Sequence, residues 1–117
     1  MGTFSVPIEI SEPQAQRWET VEALVDTGAT YTVIPASILR ALGILPHDRR
    51  PFLLADDRQT ELEVGHIWVR AEGRSAIVLA AFGTNGRALL GAVTLETLGL
   101  AVDPVRRRLI PVPGLLM

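Results

Sequence analysis

The apolar residues of this chain come in bursts too short for long helices. Gly, Pro, Asp or Asn interrupts them every few residues, and between interruptions the pattern is either alternation or a brief apolar run. A half-buried strand needs a period of two over roughly four to eight residues, whereas a helix needs a 3.6-residue period held over about ten or more. The punctuation therefore predicts a mostly β fold. Residues 3–10 alternate, and a second strand is expected near residues 17–25, with Val21, Ala23 and Val25 on one side. TGAT then turns the chain into a strand at 31–34. Two hairpins follow: PFLLA and QTELEV flank the polar tip ADDR, and segments 66–71 and 75–82 flank EGR.

Two segments break the β rhythm. Residues 35–42 begin with a proline suited to the first helical position and end before Gly43, suited to a left-handed cap, so a short helix is expected there. Residues 93–98, followed by Gly99, carry the same signature. A loop is expected at 46–50 and a turn at 83–86. After the second helix come a strand at 100–102, an Asp103-Pro104 turn, an arginine run and LIPV. With 117 residues and no linker, repeat or low-complexity stretch, residues 1–117 are expected to form a single domain.

Composition narrows the functional classes. Nearly half the residues are hydrophobic, which fits a folded domain, and a net charge of −2 gives no footprint for nucleic acid or an anionic membrane surface. The chain has no cysteine, so disulfides and thiolate metal sites are excluded. The longest apolar run, AIVLAAF at 76–82, is far shorter than the roughly 20 residues that span a bilayer. No basic-then-apolar leader is evident in MGTFSVPIEI, and a soluble, cytoplasmic protein is expected.

One carboxylate stands out. In ALVDTGATYTVIP, Asp26 sits between an apolar strand and a Thr-Gly turn, in a segment otherwise suited to burial. Asp-Thr-Gly alone reads as a plain turn between strands. Its context is richer, because about sixty residues later Leu89-Leu90-Gly91 leads into the second short helix.

This arrangement resembles the retropepsin-like aspartic proteases over nearly the whole chain. The resemblance implies a closed β-barrel with a flap hairpin and one or two short helices, acting as a homodimer. It implies that Asp26 is the catalytic aspartate, that the Thr27 hydroxyl bonds to the partner loop, and that Gly28 lets backbone approach substrate. Ala29 and Thr30 would complete the active-site loop, and Leu89, Leu90 and Gly91 would pack beneath it. The flap would be hairpin 52–62, with its tip at Ala55, Asp56, Asp57 and Arg58, and Arg87 and Leu89 would line a substrate pocket. The tip departs from many relatives in lacking glycine. Asp56 and Asp57 read first as solvated turn residues and second as contacts for basic or polar substrate groups.

Peptide hydrolysis of this type needs two carboxylates sharing one proton, since like charges a few ångströms apart cannot both ionise cheaply. One motif per chain supplies half of that pair, so a second copy of the chain is the expected partner, with an extended peptide as substrate. Carboxylate-activated water needs no metal or organic cofactor. A catalytically silent dimerisation or peptide-binding module of the same fold remains the alternative. His47 and His66 lie far apart with no second ligand at metal spacing and read as surface or structural residues. Trp18 and Trp68 are expected in or near the core, and Arg106, Arg107 and Arg108 read as a solvated turn or strand edge.

Overall fold

The computed structural model describes residues 4–84 and 86–114. Its strands are β1 (Ser5–Ser11), β2 (Trp18–Val25), β3 (Thr32–Pro35), β4 (Asp48–Leu53), β5 (Gln59–Ala71), β6 (Arg74–Gly83), β7 (Ala88–Leu90), β8 (Leu100–Asp103) and β9 (Arg108–Pro111). Helix α1 (Ala36–Ala41) follows β3 and α2 (Ala92–Leu98) follows β7. The main sheet runs β1-β2-β7-β3-β6-β5, and β5 pairs back onto β1 through Glu9↔Arg70, Ile10↔Val69 and Ser11↔Trp68. Six strands thus close into a barrel, which removes the open edges of a flat sheet. β4 stays outside the ring and pairs with β5.

Alternation decides what fills the barrel. Val21, Ala23 and Val25 of β2 point inward, as do Ile8 and Ile10 of β1 and Ile67, Val69 and Ala71 of β5, and all are buried. Leu39 of α1 and Leu95 and Leu98 of α2 join the same core.

β5 changes phase along its length. Thr60, Leu62 and Val64 form its inner face at the start, and Gly65, Ile67, Val69 and Ala71 form it further on. The change falls where β5 leaves its pairing with β4 (Asp48↔Val64 to Leu53↔Gln59) for pairing with β6 (Val64↔Ala81 to Ala71↔Arg74). One 13-residue strand therefore replaces the two segments expected from sequence, its first half in a hairpin outside the barrel and its second half a barrel stave.

Other boundaries differ for identifiable reasons. Pro35 is the last residue of β3 rather than the first of α1, because β3 continues parallel to β6 as far as Pro35↔Gly83. α2 starts one residue earlier than expected, at Ala92, with Gly99 closing it in the left-handed conformation (φ 70°). The loop expected at 46–50 is partly strand: Asp48, Arg49 and Arg50 pair with β5 despite their charge, and Arg49 reaches Glu61 across the ladder at 3.5 Å. An edge strand accepts such residues, and Pro51 with them, because its outer face and outer edge meet water. Thr3 of the first expected strand and Asn85 of the expected 83–86 turn lie outside the described residues. The last expected strands form a separate hairpin, β8 with β9. Its turn is held by Asp103, whose Oδ1 accepts the N–H groups of Val105 and Arg106.

Among the described residues, no helix is long and apolar enough to cross a membrane. Trp18 and Trp68 are half-buried at one end of the barrel, where their indole N–H groups donate to the carbonyls of Ala15 and Pro13. Each indole N–H thus sits on the connection between β1 and β2, and the Arg70 guanidinium lies over the Trp18 ring, 3.9 Å from its centroid.

Candidate active site

Asp26 is the residue immediately after β2, half-buried, at the start of the loop that leads to β3. Its carboxylate Oδ1 accepts the N–H of Gly28 at 3.0 Å, and its carbonyl accepts the N–H of Ala29 at 3.1 Å. The side chain and the turn thus fix each other, as expected of aspartate in a tight turn. Thr27, Gly28 and Thr30 are exposed and Ala29 is half-buried.

The segment Leu90-Gly91-Ala92-Val93 holds this loop from below. β7 runs parallel to β2, pairing Leu24 with Leu89 and Val25 with Leu90. The Asp26 N–H continues that ladder onto the Leu90 carbonyl at 3.0 Å. Ala92 and Val93, the first residues of α2, then donate to the carbonyls of Ala29 (2.8 Å) and Thr30 (3.0 Å). These N–H groups have no acceptor within their own helix, so the loop satisfies them and is positioned in return. Gly91 makes the approach possible: a Cβ there would lie 2.5 Å from the Tyr31 carbonyl carbon.

Two buried hydroxyls complete the brace. Thr32 Oγ1 accepts the Gly91 N–H at 3.1 Å and lies 2.6 Å from Thr94 Oγ1, with both threonines almost wholly buried. Sequence reasoning missed this pair. Thr32 carries a visible signal, a hydroxyl in an otherwise apolar strand, but its partner is 62 residues away.

β4 and β5 form a hairpin closed by residues 54–58, at the position expected of the flap. Its tip needs no glycine because Asp57 itself takes the left-handed conformation (φ 68°), which Asp tolerates better than most residues. The Asp56 carboxylate accepts the Arg58 N–H and pairs with the Arg58 guanidinium at 2.6 Å. Ala55, Asp56, Asp57 and Arg58 are all exposed.

Between this hairpin and the barrel lies a cavity of about 310 Å³, walled by Val33, Leu54, Leu62 and Leu89, with Thr60 and Arg87 among its polar lining. Leu89 and Arg87 therefore come together with residues of the β4–β5 hairpin, while residues 55–58 stay outside the cavity lining. Leu54, Leu62 and Thr60 were not singled out from sequence. The alternation of Thr60 and Leu62 marks an inner face, but an interrupted strand hid which face that was.

His47 and His66 meet in space: their rings stack with centroids 4.8 Å apart, and Nε2 of His47 lies 3.1 Å from Nδ1 of His66. No group of three or more His, Cys, Asp or Glu arranged to hold a metal occurs among the described residues. Asp48, next to His47, is held below the usual carboxylate range, first by the Arg49 N–H and then by the Arg50 side chain. Glu9 is lowered chiefly by its hydrogen bond from Arg70, and Glu12 chiefly by that from Ser11.

The family model described as Aspartyl protease matches residues 6–92, from β1 to the first residue of α2. The chain belongs to the aspartyl protease family. The match takes in Asp26 and its turn, the whole β4–β5 hairpin and Leu89-Leu90-Gly91. No curated protein matches the chain. Among solved structures it is similar to the solution structure of Simian Foamy Virus (mac) protease, with 18% sequence identity and a TM-score of 0.54 over 80% of this chain and 94% of that one. At that identity the likeness shows the fold, which is retropepsin-like. Family and fold together support a peptidase function.

Proposed function

We propose that the chain is an aspartic endopeptidase, active as a homodimer, in which Asp26 from each of two subunits forms the catalytic pair. The observation that carries this reading is the placement of Asp26: one half-buried carboxylate at the end of a barrel strand, on a loop locked to α2 by the Ala92 and Val93 N–H groups. Such rigidity suits a group that must hold a water and a scissile carbonyl in a narrow geometry.

In the proposed reaction, two Asp26 carboxyls meet on a twofold axis and share a proton. The ionised one takes a proton from water as the water oxygen attacks the peptide carbonyl carbon. The protonated one gives its proton to the carbonyl oxygen, leaving a tetrahedral diol. Collapse of the diol returns a proton to the leaving nitrogen and breaks the C–N bond, without a covalent enzyme intermediate. Thr27, exposed at the loop surface, is free of the turn's own hydrogen bonding and is assigned to the partner loop. Gly28 is where substrate backbone passes closest. Ala29 and Thr30 carry the carbonyls that anchor the loop, and Arg87 and Leu89 contact substrate side chains beneath the flap. A peptide lying extended along the cavity would pair its backbone with the flap strands.

The test is cleavage of a broad library of extended peptides across roughly pH 3 to 7, from below the ordinary carboxylate range to neutrality. Wild-type protein is expected to cleave and Asp26→Asn to be inactive with peptide binding retained. Cleavage that survives Asp26→Asn overturns the proposal. Binding by both proteins with cleavage by neither supports a silent peptide-binding module instead.

A further inference from the structure

The flap hairpin is hydrogen-bonded along its whole length, from Asp48↔Val64 at the base to Leu53↔Gln59 next to the tip. The tip is closed further by Leu54 N–H to the Arg58 carbonyl (2.8 Å), Asp57 N–H to the Leu54 carbonyl (3.0 Å) and the Asp56–Arg58 ion pair. A hairpin with so few unmade bonds moves as one piece rather than curling at its tip. Among the described residues its outer strand, β4, pairs with β5 alone, so the backbone ties the flap to the barrel at its base, where β5 enters at Val64 and residues 44–47 lead into β4.

What holds the far end in place must then be side chains. Glu63 pairs with Arg40 of α1 at 2.7 Å, but Glu63 sits one residue from the base, where it has little leverage. Phe52 lies four residues further along β4 than Asp48, about 13 Å from the base at the rise of a strand. There it meets Tyr31, ring centroid to ring centroid 6.1 Å, at an interplanar angle of 82°. This is the edge-to-face arrangement that aromatic quadrupoles favour.

Tyr31 is the residue directly after the catalytic loop. Its own backbone is fixed, because the Gly91 Cα packs against its carbonyl and the preceding Thr30 carbonyl is bonded to Val93. The Tyr31 ring therefore rises from a fixed backbone, next to the loop that bears Asp26, to Phe52 on the underside of the flap.

We propose that Tyr31 is a positioning residue for the flap: through its edge-to-face contact with Phe52 it sets how closely the hairpin lies over the Asp26 loop and holds it closed on substrate. This inference rests on the chain being an aspartic endopeptidase. It assigns to the aromatic pair the far-end restraint of a flap whose glycine-free tip is locked.

Closure held by this pair lowers KM, because the closed flap is the form that retains peptide. An edge-to-face pair of this kind is worth about a 2- to 12-fold change in an equilibrium. Tyr31→Leu is expected to raise KM by that factor, with kcat changed by less than about twofold. Tyr31→Phe, which keeps the ring, restores the wild-type KM. Phe52→Leu reproduces the Tyr31→Leu effect, and the double variant is no worse than either single one. Because the chain has no cysteine, a fluorinated thiol-reactive label on Ala55→Cys, an exposed tip position outside the left-handed backbone, reports flap position uniquely by fluorine NMR. That label is read in the Asp26→Asn background, where no cleavage occurs. The open-flap population is expected to rise roughly 2- to 12-fold with Tyr31→Leu and to stay unchanged with Tyr31→Phe.

Unchanged label populations and KM in both Tyr31→Leu and Phe52→Leu overturn the proposal. So does a loss confined to kcat, or a Tyr31→Phe effect as large as that of Tyr31→Leu. If Tyr31→Leu fails to fold, Phe52→Leu on the outer strand decides alone. Wild-type protein that cleaves nothing overturns the peptidase reading, while the label still decides whether Tyr31 holds the flap.

Discussion

A methyl group at Gly91 tests how the Asp26 loop is held. Built on the existing backbone, the Cβ of Gly91→Ala lies 2.5 Å from the Tyr31 carbonyl carbon, 2.6 Å from its oxygen and 3.0 Å from the Thr30 oxygen. Comfortable carbon contacts lie near 3.5 to 4.0 Å, so the overlap is about 1 Å. The atoms met are backbone and cannot swing aside as the end of a long side chain would. Either residues 30–31 move by about that distance or the first turn of α2 retreats. Retreat strains the bonds from Ala92 to Ala29 and from Val93 to Thr30.

Overpacking of this sort costs about 1–3 kcal/mol. A displacement near 1 Å beside the reacting group lowers turnover on the order of 100-fold. Gly91→Ala should therefore lose both stability by denaturant titration and kcat/KM on a peptide substrate, measured on protein that is still folded. Gly86→Ala is the control: it is exposed, with nothing within 4 Å of the added carbon, and is expected within about 0.5 kcal/mol of wild type. A folded Gly91→Ala protein with wild-type stability and kcat/KM refutes the idea that this glycine allows α2 to brace the loop. Lost stability with unchanged kcat/KM refutes the link from brace to catalysis.

Three further outcomes follow from the structure. Thr32→Val strands the Gly91 N–H and the Thr94 hydroxyl in a dry core and is expected to cost on the order of 3 kcal/mol, part of it recovered in Thr32→Val with Thr94→Val, as read by denaturant midpoints. Leu90→Ala removes a fully buried side chain next to the loop and should destabilise by about 2–5 kcal/mol in the same assay. The Glu12 carboxylate accepts the Ser11 hydroxyl at 2.7 Å and the Gln16 and Arg17 N–H groups at 3.0 and 2.8 Å. Those bonds lower its pKa in the folded state. Its contribution to stability is thus complete above the unfolded-state value of 4.5 and fades as pH falls through the lower folded value. Glu12→Gln should flatten the loss of stability below about pH 4.5, and an unchanged acid limb in that variant would contradict the assignment.

Much of the site could be read from residue order because its chemistry is local. Asp26, its turn and the strand before it are adjacent in sequence, and Gly91 sits at a helix start that the Leu-Leu-Gly pattern marks. What escaped was either non-local or masked by a shift of period. Thr32 with Thr94, Tyr31 with Phe52 and His47 with His66 are each joined only by folding. β5 hid its length because its inner face changes parity at Val64 and Gly65, so one strand looked like two. The charged start of β4 looked like a loop because an edge strand does not need alternation. The glycine-free tip of the β4–β5 hairpin reads as a departure from relatives, and the structure supplies the physical substitute: a left-handed aspartate and a local ion pair.

The central claim is that two Asp26 carboxylates, one from each subunit, form a single active site. Mixing wild-type protein with Asp26→Asn protein tests it most directly, at concentrations where dimers predominate and subunits have exchanged. A ninefold excess of the inactive chain leaves most wild-type subunits in mixed dimers with one aspartate, so the account predicts that peptide cleavage falls to about a tenth of its unmixed level. Cleavage that holds at the unmixed level after full exchange contradicts it.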